Sequence, residues 1–216
     1  VRKVTLRTDE RAAFVGKTGS GKSYLARHFL APVRRLVVFD GKGDLDLNEW
    51  GLVPAGQKEQ RSLKNGGNGR LYVPPQLDGD WSEWLTLVYG LGNVLLYIDE
   101  MYAVVEPGKR PHPLLAACYT RGRSRGIGVW ASTQRPSWVP LIMFSEAEWF
   151  FIFRLTMADD RKKLAGFTGP DVEHPIKDRH GFFTYGVDWD DPQYTRIFAP
   201  NTPTARPNLK VVGGKG

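Results

Sequence analysis

Residues able to grip a phosphate chain stand together early in the sequence: Gly16-Lys17-Thr18-Gly19-Ser20-Gly21-Lys22-Ser23, followed by Tyr24. Glycines at this spacing let the backbone take the positive φ values that wrap several N–H groups around phosphate oxygens. Lys22 then reaches the β- and γ-phosphates, and the Ser23 hydroxyl is placed to ligate Mg2+. A second chemical group closes the run Val94-Leu95-Leu96-Tyr97-Ile98-Asp99-Glu100. Two acids at the end of an apolar strand need partners, because a buried carboxylate is costly when unpaired. Downstream of a phosphate loop they take the Walker B roles: Asp99 in the Mg2+ shell, Glu100 as the base that polarises an attacking water. Gln134 is expected at the same edge, bonding the γ-phosphate or the water. The chemistry expected of this set is hydrolysis of ATP, with Mg2+ as its companion ion.

Such a set works only if strands deliver it to one edge of a sheet. Ala12–Val15 reads as a buried strand entering the phosphate loop, and Ser23 to Leu30 as the helix that leaves it. Pro32 stops that helix. Arg35–Phe39 is a second buried strand, ending at Asp40-Gly41-Lys42, and the carboxyl ends of parallel strands are where ligands sit, so Asp40 and Lys42 are expected near the site. Val94–Ile98, Gly128–Ser132 and Trp149–Phe153 are further buried strands. Trp81–Tyr89, Pro113–Thr120 and Asp159–Phe167 carry helical patterns. Gly181–Tyr185 and Tyr194–Phe198 form a late hairpin around an acidic turn. The fold class is therefore α/β, a mostly parallel central sheet flanked by helices with a C-terminal hairpin. Residues 1–199 are expected to form one domain, and 200–216 a flexible basic tail. Two stretches read as basic connections: the polar loop Gly56–Arg70, with a mobile tip at Asn65–Gly69, and Met101–Pro113.

The bulk figures agree with that class. The chain has 216 residues, 41% hydrophobic and 25% charged, which suits a globular domain with a proper core. A formal net charge of +7 fits a polyanionic partner without identifying one. The single cysteine, Cys118, excludes an internal disulfide and a zinc cluster and fits a reducing compartment. No apolar run is long enough to span a bilayer and no signal peptide is visible, so a cytoplasmic or virion-associated place is expected.

Three segments together carry a family resemblance: Gly16–Ser23, Leu95–Glu100, and Gly122-Arg123-Ser124-Arg125-Gly126 running on to Thr133-Gln134-Arg135-Pro136. In this order they resemble the FtsK/HerA superfamily of DNA-translocating ATPases. Phe39-Asp40-Gly41-Lys42 is similar to the family's Asp-Pro-Lys segment, with Gly41 where the family has proline. The resemblance, over Ala12–Leu164, implies a RecA-like (ASCE) core assembled as a homo-oligomer, commonly a hexameric ring around double-stranded DNA, with sites between subunits. The absence of a membrane anchor and of a leading extra domain makes the chain look most like a viral genome-packaging ATPase, with a capsid or membrane portal protein as a further expected partner. An interface site needs a cation from the neighbour. Arg123 matches the family's Gly-Arg-x-x-Gly position, Arg154 is a second candidate, and a continued helix would put Arg121 and Arg125 on one face with Arg123 on another. DNA backbone contacts are expected from Lys58, Arg61 and Lys64 or from Lys109 and Arg110. Two other functions remain open from sequence: a phage assembly or secretion ATPase acting on protein at a membrane, and a nucleotide switch or small-molecule kinase.

Overall fold

The structure is a computed structural model, and it describes residues 4–196 and 209–212. β1 (Val4–Arg7) turns into β2 (Arg11–Val15), every residue of which is buried. Helix α1 (Lys22–Leu30) follows, burying Leu25, Ala26, Phe29 and Leu30 at helical spacing. β3 (Arg35–Asp40) comes next, then the short α2 (Leu47–Trp50), whose first turn is capped by the Asp46 carboxylate accepting from the amides of Asn48 and Glu49. The two-residue β4 (Val53–Pro54) leads into α3 (Gln57–Lys64), β5 (Gly69–Val73) and α4 (Ser82–Leu91). β6 (Val94–Asp99), α5 (Met101–Val104), α6 (Pro113–Arg121) and β7 (Ile127–Thr133) form the next crossover. The chain ends with α7 (Ile142–Ser145), β8 (Trp149–Phe153), α8 (Ala158–Thr168), β9 (Gly181–Gly186), β10 (Gln193–Arg196) and β11 (Leu209–Val212).

Nine strands make one sheet in the order β10-β9-β8-β2-β7-β6-β3-β5-β4. The seven from β8 to β4 are parallel, and β9 and β10 add an antiparallel hairpin at one side. This is the mostly parallel, helix-flanked sheet with a terminal hairpin that the sequence implies. Side chains alternate across it because strand periodicity is two. Val94, Leu96 and Ile98 of β6 join the core under α4 and α6, whereas Leu95 and Tyr97 join the core under α1. Phe14, Tyr97, Trp130 and Phe151 are fully buried there, each side chain contributing about 1.5–3 kcal/mol by leaving water. Two helical layers therefore clamp the strands that carry the site.

Four expectations change. Gln57–Lys64 is a helix, not a loop; its single buried apolar residue, Leu63, gave no periodic signal, and packing against β5 supplies what the pattern lacked. The expected mobile tip after it is tied down: Gly66 and Gly67 amides bond the Leu63 and Ser62 carbonyls, and the Arg35 guanidinium donates to Gly67 O. Met101–Val104, the start of the second basic connection, is helical. Within the expected tail, Leu209–Val212 is a strand paired in parallel with β1; residues 200–208 and 213–216 lie outside the described residues.

Candidate active site

β2 ends at Val15, in register with Thr133 at the end of β7, and the phosphate loop hangs between two neighbouring strand ends. The Gly16 amide bonds Thr133 O at 3.1 Å and the Lys17 amide bonds Arg154 O at 2.9 Å. Gly16 cannot be replaced: its φ is +153°, and a Cβ there would stand 2.5 Å from that of Phe153. Gly21, with φ +106°, turns the chain into α1, so the helix N-terminus and the loop amides face the same space. Lys22 is buried and its ammonium donates to Lys17 O at 3.3 Å, folded across the loop. Burial, and then the nearby Lys42, lower Lys22 to about 8, against the opposing pull of Glu100 and Asp99. Phosphate oxygens would be the partner that this cation lacks. Lys17, Thr18 and Gly19 are exposed at the rim, Ser20 is buried, and Tyr24 points outward with Arg27 over its ring.

The acids sit beside that loop. Asp99 and Glu100 are 1% and 0% exposed. Asp99 Oδ1 accepts from the hydroxyls of Tyr97 at 3.1 Å and Ser132 at 3.0 Å. Glu100 is held in left-handed backbone, φ +75°, a strain on the order of 1–3 kcal/mol for a non-glycine residue. Its amide bonds Ser132 Oγ at 3.2 Å, and its carboxylate accepts from the Gln134 amide at 3.1 Å and Nε2 at 3.0 Å. Gln134 Oε1 in turn accepts from the Thr18 hydroxyl, so one side chain ties the base to the phosphate loop. Lys42 completes the group, 3.5 Å from Asp99 and 3.4 Å from Glu100. Ser23 and Asp99, the residues that would hold Mg2+, offer only oxygen donors, which suits that ion, and Asp99 already draws the Lys42 ammonium.

The cationic residues divide. Arg154, expected as a candidate from a neighbouring subunit, lies on the phosphate loop of its own chain, because β8 pairs with β2 in parallel; it shares a cavity with Lys17, Thr18, Gly19, Ser20 and Arg179. Arg179 was not foreseen. Its turn, between α8 and β9, lies against the loop, with a ring nitrogen of the adjoining His180 3.4 Å from Ser20 O, and nothing local in the sequence marks it. Arg121, Arg123 and Arg125 lie at the opposite edge, where β7 begins. The helix does not persist through them: 122–125 is a tight 3-10 turn. Arg125 stacks on Tyr89, its guanidinium 4.7 Å from the ring centre, and donates to Tyr89 O, while Arg123 pairs with Glu148 at 3.3 Å. Lys58, Arg61 and Lys64 are exposed along α3, which descends from the catalytic edge beside the outermost strand. Lys109 pairs with Glu106, and Arg110 is exposed in the connection between α5 and α6. Two foreseeable partners were missed: Tyr97 lies two residues before Asp99, hence on the same strand face, and Ser132 is the last residue but one of β7, the neighbouring strand.

No family model matches the chain. Over 168 residues it is 29% identical to the DNA packaging ATPase P9 of Enterobacteria phage PRD1, covering 76% of this chain and 72% of that relative. Its fold is similar to the genome packaging NTPase B204 of Sulfolobus turreted icosahedral virus 2, solved with AMPPCP, at a TM-score of 0.70 and 18% identity, covering 89% of this chain and all of that one. The pCW3 conjugation coupling protein TcpA is more distant, with a TM-score of 0.59 and 12% identity, covering 88% of this chain and 60% of that one. The chain is therefore similar in sequence to a viral DNA packaging ATPase and in fold to a viral genome packaging NTPase. Among the described residues no helix is long and apolar enough to cross a membrane.

Proposed function

We propose that this chain is an ATP-driven motor that packages double-stranded DNA into a virus particle, acting as a soluble oligomeric ring whose nucleotide sites lie between subunits. The single observation that carries the reading is the joining of Glu100, Gln134 and Thr18 across the ends of β6, β7 and β2, on the loop that carries Lys22. The triphosphate lies over the amides of Gly16–Ser23, with Lys22 on its β- and γ-oxygens. Mg2+, held by Ser23 and Asp99, would neutralise charge on those oxygens. Glu100 accepts the proton of a water held with Gln134, and the water oxygen attacks the γ-phosphorus as the bond to ADP breaks. Ser132 and Tyr97 fix Asp99, and Ser132 also holds the Glu100 amide, so neither acid has to reorganise at the moment of reaction.

DNA is favoured as cargo because a 29% identical relative is a DNA packaging ATPase and because the chain carries a net charge of +7. These likenesses do not favour the protein-cargo reading. Exposed Lys58, Arg61 and Lys64 on α3, and Arg110, are the backbone-contact candidates that the fold leaves open to solvent. Glu100→Gln should keep nucleotide affinity and lose turnover by about a hundredfold or more, the scale of a lost general base. Duplex DNA should raise the ATPase rate of the unaltered protein, and that stimulation should fall steeply between low and physiological salt. Stimulation by a membrane or coat protein, with none by DNA, would transfer the reading to protein cargo.

A further inference from the structure

The geometry points to Lys42 as a positioning residue: a built-in counter-cation that fixes the Glu100 carboxylate and sets how tightly Asp99 takes up a divalent ion. It rests on the reading of Glu100 as the base for ATP hydrolysis.

A lysine on a loop is ordinarily a solvated charge with no fixed address. This one is delivered by a constructed turn. The buried Asp40 carboxylate, at the end of β3, accepts from the amides of Lys42 at 3.0 Å, Gly43 at 2.7 Å and Leu45 at 3.2 Å, and from the Tyr72 hydroxyl at 3.2 Å. The Gly41 amide bonds Asp99 O at 3.0 Å, tying the turn to the end of β6. Only glycine permits that approach: a Cβ at Gly41 would lie 2.6 Å from the Cβ of Ala103 and 2.8 Å from Asp99 O. Everything in the turn thus places one ammonium between two carboxylate oxygens on adjacent residues, at 3.5 and 3.4 Å, with a quarter of the lysine side chain exposed. Two carboxylates buried this fully on adjacent residues call for a positive charge beside them, and the turn supplies one. Lys22, the other nearby cation, is committed to the phosphate loop.

Two consequences follow. The ammonium and Gln134 Nε2 both reach Glu100 Oε2 while the Gln134 backbone amide holds Oε1, so the carboxylate is restrained at both oxygens. A divalent ion taken up by Asp99 must do so against a positive charge already in place, so tight metal binding waits for the phosphate oxygens that arrive with the nucleotide.

The test uses the full 216-residue chain and Mn2+ as probe, followed by electron paramagnetic resonance without nucleotide. Lys42→Met should bind Mn2+ about tenfold more tightly than the unaltered protein, since one unit charge at this separation is worth at least that factor near a protein surface. Lys42→Arg, which keeps the charge, should match the unaltered protein. In steady-state assays Lys42→Met should lower kcat with little change in KM for ATP, and Lys42→Arg should restore much of it. Lys42→Gln supplies the same comparison if the methionine variant does not fold. Equal Mn2+ affinities with and without the charge would overturn the assignment. A fluorescent ATP analogue titrated in parallel separates the two readings: failure of the unaltered protein to bind it removes the nucleotide site itself, whereas binding with unchanged Mn2+ affinities removes only the role of Lys42.

Discussion

Gln134 is the residue on which the proposed chemistry turns. Its amide group spans the gap between a hydroxyl on the phosphate loop and the carboxylate of Glu100, while its own backbone amide donates to the other oxygen of that carboxylate. The backbone bond survives any substitution, and the side-chain bonds do not. Gln134→Ala should therefore leave Glu100 in place but take one donor from its Oε2, where Lys42 remains, and release Thr18. Loss of one preorganised hydrogen bond at a reacting group costs about a hundredfold in rate, with little effect on ground-state binding. Single-turnover kinetics together with the Kd of a fluorescent ATP analogue would show this. A rate unchanged in Gln134→Ala would leave the Glu100 carboxylate sufficient on its own, and the bridge would be structural.

Among the elements, α3 shows how little sequence can hold a helix in place. Seven of its eight residues are not buried, and Leu63 alone packs inward against β5. Leu63→Ala should cost about 2–4 kcal/mol through the lost burial and the cavity left behind. Urea unfolding would read this as a fall in the midpoint at unchanged slope. A change below about half a kilocalorie would mean that the helix is held by its ends alone. The same helix marks the limit of what could be read in advance. Buried parallel strands announce themselves as unbroken apolar runs, and β2, β3, β6, β7 and β8 were legible for that reason. The glycine spacing of 16–21 is equally local. A helix with one apolar residue has no period to detect, and the pairing of Leu209–Val212 with β1 joins opposite ends of the chain. The site divides in the same way. Asp99, Glu100 and Gln134 stand at ends of recognisable strands, and Lys22 follows directly on the glycine spacing. Lys42 meets the acids because β3 lies beside β6, with Asp40 in register with Asp99, and strand order is a property of the assembled sheet.

At the scale of the whole molecule, the sheet has a nucleotide edge and an opposite edge, and the arginines of 121–125 are on the wrong one to serve their own chain. The seven residues of β7, about 20 Å at strand rise, separate that turn from Gln134. Arg123 can reach a γ-phosphate only if the catalytic edge of one copy packs against a different face of the next, a heterologous contact that closes into a ring when the rotation allows. Its pairing with Glu148 keeps it extended at the surface, and its side chain remains about half exposed at 52%. Arg154 and Arg179 already flank the loop in the same chain, so under the proposed reading Arg123 would be the cation added from outside. Subunit mixing tests this directly. Arg123→Ala leaves a chain with an intact loop and base but no finger to lend, and Glu100→Gln leaves one with a finger and no base. Each alone should hydrolyse ATP at under about a hundredth of the normal rate. Mixed one to one, about a quarter of random heterologous interfaces pair a good base with a good finger, and activity should return in proportion. Mixtures that stay inactive, although both variants bind nucleotide and co-assemble, would confine Arg123 to its bridge with Glu148.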